Sequence, residues 1–189
     1  SNELRELVDA AQIPFYTTPQ GRGVIAEDHP LSYMTVRSAA FREADLILVI
    51  GTRMNYIIGH AAPPRFNEDA TIIRIDIDEE EISTSPRKID IGIVGDAKAV
   101  LGQINDRLAE AVSNDNFSQW RKRLGEEEAI KRSHPGGNSV SDSVPIHPLR
   151  LCEEVKNFMD RDAILVVDGQ EILNYGRQSM PTFAPGHRL

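Results

Sequence analysis

A continuous apolar run at Leu46–Ile50 is the clearest structural signal in the chain. Apolar residues that follow one another without alternation are typical of a strand covered on both faces, as in parallel α/β sheets, and Gly51 ends the run. Further strands are predicted at Ile13–Tyr16, Thr71–Ile77 and Ile91–Val94, where short apolar stretches are bounded by glycine, proline or acidic residues.

Segments with helical spacing lie among these strands. Apolar residues three and four positions apart predict helices at Glu3–Ala11, Met34–Ala44 and Ala97–Val112, whereas the prolines and glycines of Thr17–Pro30 predict a loop. Helix and strand therefore alternate along the chain. This order indicates βαβ units, and we predict an α/β fold with a parallel sheet and helices on both faces.

The chain changes character after residue 112. Asn114–Arg132 is polar and charged, and Ser133–Ser143 is rich in serine, glycine and proline, as linkers are. A helix predicted at Pro148–Met159 and a buried strand predicted at Ala163–Val167 follow. A lone helix and strand cannot close a core, so we expect a domain that only begins here. The predicted organisation is a domain over 1–112, a polar helix and linker over 113–143, and the beginning of a second domain over 144–189.

Composition and charge narrow the function classes. The 189 residues are 40% hydrophobic and 26% charged, which is typical of a globular protein. The net charge of −8 disfavours a nucleic-acid partner, and no apolar run has the roughly 20 residues of a membrane helix. A single cysteine, Cys152, excludes a disulfide framework and a multi-cysteine zinc site. We expect a cytoplasmic location, with no membrane partner and no signal peptide.

Polar residues follow each strand of the predicted sheet. Parallel sheets bind ligands beyond the carboxyl ends of their strands. Gly51 would let a ligand approach the backbone there, and the guanidinium of Arg53 suits phosphate oxygens. Asp76 is placed to accept from ribose hydroxyls, and Asp96 precedes a helix whose amino terminus favours anions. Together these residues indicate a nucleotide crevice.

Structural roles compete with these ligand roles. Asp78 and Glu81 have the spacing of a capping box, and Asp96 is a plausible helix N-cap. The chain contains no G-x-G-x-x-G or Walker A motif. Cys152 falls on the apolar side of a predicted helix, where a buried, inert thiol is expected. The five histidines are scattered, so neither a metal site nor a catalytic residue is assigned.

Four segments, taken in order, carry a family resemblance. They read "IPFYTTPQGRGVIAEDHP", "ADLILVIGTRMNY", "TIIRIDIDEEEI" and "IGIVGDAKAVL". In this order they resemble the central domain of thiamine-diphosphate-dependent enzymes, a family that includes acetolactate synthase, oxalyl-CoA decarboxylase and 2-hydroxyacyl-CoA lyase. The resemblance covers about residues 3–112. It resumes in "IHPLRLCEEV" and "AILVVDGQEILNYGRQ", which resemble the start of the C-terminal cofactor domain.

The resemblance implies a Rossmann-like parallel sheet of six strands, truncated here at both ends. The first strand would be missing, so its place would be vacant or filled by Ala163–Val167 or a second chain. The parent would be a lyase, decarboxylase or carboligase for 2-hydroxyacyl-CoA or 2-oxo acids, with thiamine diphosphate and Mg²⁺. It would have N- and C-terminal domains and form a homo-oligomer. The family's catalytic Glu and Mg²⁺ ligands are not among these residues, so we expect the chain alone to be inactive.

The same resemblance assigns ligand roles in the central domain. "GTRMNY" is similar to the Gly-x-Arg-x-Asn-aromatic string of the CoA-linked members, which favours ADP or CoA over FAD. Gly51, Arg53 and Asn55 belong to this string, and Arg53 would meet the nucleotide phosphates. Asp76 would meet the ribose. The adenine would contact Ile77 and Ala97, next to Asp96. The alternatives are FAD binding, as in acetolactate synthase, and a free-standing nucleotide-binding module.

A second set of ligand roles falls near the end of the chain. Gly169, Gln170 and Glu171 match the loop that contacts the thiamine diphosphate phosphates in the family's C-terminal domain. Glu171 stands where acetolactate synthases have His. A carboxylate beside a diphosphate is repulsive unless it faces away or binds through a metal ion.

Overall fold

The computed structural model describes residues 1–111, 117–133 and 139–188. It contains two compact units. Ser1–Ile13 and Val36–Phe117 form unit 1, and Pro14–Thr35 and Ser118–Leu189 form unit 2. The organisation predicted from the sequence, with boundaries at residues 112 and 143, concerns domains of the parent family and stays a prediction.

Unit 1 is built on a parallel sheet of three strands in the order β1-β2-β3. The strands are β1 at Leu46–Ile50, β2 at Thr71–Asp76 and β3 at Ile91–Val94. The predicted parallel α/β sheet is thereby confirmed, with β2 one residue shorter than expected. The central strand β2 is the most buried, and Ile72 and Ile75 on it are fully buried. Each such side chain stabilises the fold by roughly 2–3 kcal/mol.

Helices lie on both sides of this sheet, as predicted. They are α1 at Asn2–Ala11, α2 at Arg37–Glu43, α3 at Glu79–Ser83 and α4 at Ala97–Ala111. The helix expected from Met34 begins as a 3-10 turn at Met34–Val36 before α2 starts. Val112, expected to end α4, lies outside the described residues. Stacked Phe41 and Phe66 rings, 4.3 Å apart, extend the core of the sheet.

Unit 2 contains α5 at Ser118–Ser133, α6 at Pro148–Phe158 and α7 at Gln170–Ser179. The strand predicted at Ala163–Val167 is wrong, because only Leu165 forms a bridge, to Arg188. Ile164 and Val166 are 63% and 68% exposed, and apolar residues alone do not make a strand without a partner to complete its hydrogen bonds. The expectation that this segment supplies a strand is therefore wrong.

The strand predicted at Ile13–Tyr16 is also reduced to one bridge, between Phe15 and Ser32. The loop predicted at Thr17–Pro30 is confirmed, apart from a 3-10 turn at Pro19–Gly21. The linker expected at Ser133–Ser143 falls partly on residues 134–138, which lie outside the described part of the chain.

A buried ion pair between Arg22 and Glu27 holds the loop at Thr17–Pro30 in place. Arg22 Nη2 donates to the carbonyl oxygen of Met180 at 2.9 Å, and Glu27 accepts from the amide of Thr182 at 2.9 Å. The loop is therefore tied to the segment after α7 by charged groups that the fold removes from water. Among the described helices of both units, none has the length and apolar character needed to cross a membrane.

Candidate functional site

The carboxyl ends of the three strands meet at one edge of the sheet, which we call the carboxyl edge. Ile50 pairs with Ile75, and Asp76 pairs with Val94. The backbone continues these ladders, since the Gly51 amide donates to the Ile75 carbonyl oxygen at 2.9 Å. The predicted residues Gly51, Arg53, Asn55, Asp76, Ile77, Asp96 and Ala97 all follow or end these strands.

Gly51 and Arg53 leave the end of β1 open to solvent. Gly51 has a φ of 55°, in the left-handed region that favours glycine, and no atom lies within 4 Å of the position that a Cβ would take. The Arg53 side chain is 77% exposed, and its Nε lies 3.0 Å from Glu81 Oε1. No hydrogen bond or ion pair of Arg53 Nη1 or Nη2 is found among the described residues. That edge of the guanidinium is therefore available to a ligand.

Asp76 is held by Arg74, a residue that the sequence analysis missed. Arg74 is 1% exposed, and its Nη2 donates to Asp76 Oδ2 at 3.1 Å and to Glu81 Oε2 at 2.8 Å. The same nitrogen lies 3.2 Å from the carbonyl oxygen of Thr52. A charged residue inside the apolar stretch of β2, with acidic residues after it, was the available signal, because buried charges require partners.

The predicted capping box of α3 forms only in part. Asp78 Oδ1 accepts from the Glu80 amide at 2.9 Å, as an N-cap should. The reciprocal bond is absent, because the Asp78 amide donates to Asp76 Oδ1 at 3.2 Å. The carboxylate of Glu81 instead pairs with Arg53 and Arg74. Asp76 thus accepts one hydrogen bond at each oxygen, from the Asp78 amide at Oδ1 and from Arg74 at Oδ2.

The remaining predicted residues at this edge differ in their surroundings: two cap local structure, and one is exposed. Asp96 caps α4, with Oδ1 accepting from the Ala99 amide at 3.0 Å, and Ala97 is the first, half-buried residue of that helix. Ile77 follows the last residue of β2, and its side chain is 73% exposed. Asn55 Oδ1 accepts from the Ile57 amide at 3.0 Å, so its side chain caps the following turn.

The predicted residues Gly169, Gln170 and Glu171 belong to unit 2. Gly169 has a φ of 102°, its amide donates to Asp168 Oδ1 at 2.7 Å, and α7 begins at the next residue. Glu171 is exposed in the first turn of α7, and the side chain of Gln170 lies outside the described residues. Within the described chain no group of three or more His, Cys, Asp or Glu residues could hold a metal ion. The sulfur-bearing Cys152 is buried at 2% exposure, as predicted.

Comparison with known proteins places this geometry in a family. The family model "Thiamine pyrophosphate enzyme, central domain" matches residues 1–104. The chain is 31% identical over 189 residues to mouse "2-hydroxyacyl-CoA lyase 1", covering 100% of this chain and 32% of that protein. It is 43% identical over 192 residues to the Oryza sativa "2-hydroxyacyl-CoA lyase", covering 97% and 32%. It is 30% identical over 183 residues to the Mycobacterium bovis "Probable acetolactate synthase", with the same coverages of 97% and 32%.

The chain thus spans about a third of the length of the curated relatives it matches. The matched residues include all three strands of the parallel sheet and about the first half of α4. Sheet, helices and sequence agree, and the chain belongs to the thiamine-diphosphate-dependent enzyme family, in which residues 1–104 correspond to the central domain.

Proposed function

We propose that this chain is the nucleotide-holding part of a thiamine-diphosphate-dependent lyase, decarboxylase or carboligase for 2-hydroxyacyl-CoA or 2-oxo acids. ADP, or the ADP portion of CoA, would bind at the carboxyl edge. The observation that carries this proposal is the exposure and pairing of the side chains at the carboxyl edge. An open Gly51, an exposed Arg53 and an exposed Ile77 lie at the same edge of the sheet as Asp76, whose carboxylate is 11% exposed and paired with buried Arg74.

Each residue has a role that its geometry allows. Arg53 would present Nη1 and Nη2 to phosphate oxygens, since Nε is already engaged by Glu81. Asp76 would accept from ribose hydroxyls through lone pairs that its internal bonds leave over, because a carboxylate has about four acceptor sites. Ile77 would cover one face of the adenine.

The choice of ADP or CoA over FAD rests on similarity. Several of the relatives are named as 2-hydroxyacyl-CoA lyases, and their names specify a CoA-linked substrate. FAD remains the second candidate, because a relative with 30% identity is named as a probable acetolactate synthase.

The segment 168–171 does not by itself fit thiamine diphosphate. Its described side chains are the carboxylates of Asp168 and Glu171, and both repel a diphosphate. In the family, thiamine diphosphate would supply carbanion chemistry for the reaction. We infer that further domains of a cytoplasmic, homo-oligomeric parent hold the cofactor and Mg²⁺, and that this chain alone neither binds the cofactor nor turns over substrate.

Isothermal titration of the chain with ADP, CoA and FAD tests this proposal. We expect ADP and CoA to bind, and Arg53→Met to weaken binding about 10- to 100-fold, as loss of a charge-assisted contact does. The control is Arg42→Met, which removes an exposed Arg near the end of α2, close to the opposite edge of the sheet. It should change affinity less than two-fold. Binding of FAD alone, or equal effects of the two variants, would overturn the proposal.

A further inference from the structure

Glu81 bridges two arginines at the carboxyl edge. Its Oε1 lies 3.0 Å from Nε of exposed Arg53, and its Oε2 accepts from Nη2 of buried Arg74 at 2.8 Å. The Glu81 side chain is itself 26% exposed. A carboxylate with one oxygen on each arginine joins the open side of the site to the buried network beneath it.

This placement is specific rather than a by-product of helix capping. A capping box would send the Glu81 carboxylate back to the Asp78 amide, but Asp76 already accepts from that amide. Glu81 is also held from its backbone, since its carbonyl oxygen accepts from Arg74 Nη1. Because Arg74 is buried and anchored at several points, Glu81 cannot follow Arg53 if that exposed side chain moves toward a ligand.

We propose that Glu81 is an internal counter-ion that limits the affinity of Arg53 for phosphate, an inference that rests on the proposed nucleotide site. Glu81 occupies Nε of Arg53 and places a negative charge beside the guanidinium. A phosphate that binds at Nη1 and Nη2 must lie close to that charge. Surface charge pairs of this kind alter affinity modestly, so removing the Glu81 charge should tighten phosphate binding by about two- to five-fold.

Glu81→Gln is the direct test, with ADP as the ligand and isothermal titration at low salt as the measurement. The amide oxygen of Gln can still accept from Arg74, so the network beneath is kept. Glu80→Gln removes the same charge from an exposed neighbour in α3 and is the matched control. Glu81→Gln should bind ADP about two- to five-fold more tightly, with less than half of that gain in Glu80→Gln. The gain should become smaller at about 0.5 M salt, because salt screens the interaction between the Glu81 charge and the phosphate.

The same comparison in an Arg53→Met background shows whether the effect acts through Arg53. There the gain from Glu81→Gln should disappear. A gain that persists, or Glu81→Gln binding that is unchanged or weaker, would overturn the inference. If circular dichroism shows that Glu81→Gln does not fold, Glu81→Asp replaces it. Its carboxylate is held back by one methylene group, so its ion pair with Arg53 should weaken and ADP binding should again tighten.

The two proposals fail in different ways. If wild-type chain does not bind ADP, or if Arg53→Met leaves the affinity unchanged, the nucleotide site itself is wrong and the role of Glu81 falls with it. If Arg53→Met weakens ADP binding and Glu81→Gln does not strengthen it, only the counter-ion role is wrong.

Discussion

Replacing Arg74 with Met tests whether the buried network at the carboxyl edge supports the sheet. The Arg74 guanidinium is 1% exposed and joins Asp76, Glu81 and the Thr52 carbonyl oxygen. Met matches the aliphatic part of the Arg side chain and has no guanidinium, so it keeps that packing and removes every one of these bonds. The carboxylate of Asp76, 11% exposed, would then remain without its cationic partner.

The expected cost follows from that stranded carboxylate. Breaking a buried ion pair from one side costs about 3–5 kcal/mol, because the remaining charge stays desolvated. Glu81 is less buried and keeps its ion pair with Arg53, so its lost bond to Arg74 adds little to the cost. We therefore expect Arg74→Met to lower the free energy of unfolding by about 3 kcal/mol. Proteins of this kind have about 5–15 kcal/mol in all, so the variant should fold but with a clearly reduced margin.

Urea denaturation followed by far-UV circular dichroism measures this cost. Arg53→Met is the control, because it removes an arginine from the same network at a site that is 77% exposed. Exposed pairs contribute about 0–1 kcal/mol, so the control should change stability by less than about 1 kcal/mol. If Arg74→Met and Arg53→Met shift the urea midpoint equally, the argument that Arg74 anchors Asp76 is refuted.

Two further predictions concern backbone fit and pH. Gly23→Ala should destabilise unit 2 by at least about 2 kcal/mol in urea melts, because φ is +80° and the new Cβ would clash with the Ala184 carbonyl oxygen. Gly102→Ala, inside α4 with no atom within 4 Å, should instead stabilise by up to about 1 kcal/mol, and a loss there would contradict this account. A hydrogen bond from Arg161 lowers the pKa of Asp28 below its ordinary value of 3.8. The pair therefore stabilises the fold above pH 3.8, and this contribution is lost as the pH falls through the lowered pKa. Arg161→Met should therefore cost more stability at pH 7 than at low pH, where Asp28 is protonated, and an equal cost at both pH values would contradict this.

The sequence predicted the sheet well because its strands have neighbours. Leu46–Ile50 and Ile91–Val94 are strands with the predicted bounds, since β2 lies between them and completes their hydrogen bonds. Ala163–Val167 has the same apolar composition and is not a strand. What differs is a partner of sufficient length, which is a property of the tertiary structure and not of the local pattern.

The sequence predicts where the candidate site residues lie, but not which ion pairs they form. Parallel strand direction alone brings Gly51, Asp76 and Asp96 to one edge of the sheet, so this part follows from the sequence. The pairing of Glu81 with two arginines does not. Local spacing favoured a capping box, and the burial of Arg74, which attracts that carboxylate, emerges only when β2 packs as the central strand.

Mapping ADP on the chain by amide chemical shifts in NMR spectra tests the central claim most directly. The proposed site predicts the largest shifts at the carboxyl edge, at the amides of Gly51, Ile77 and Gly95, with loss of these shifts in Arg53→Met. Residues at the opposite edge, such as Thr71 and Lys88, should be unaffected. Shifts centred on that opposite edge, or no saturable shifts with ADP, would contradict the account.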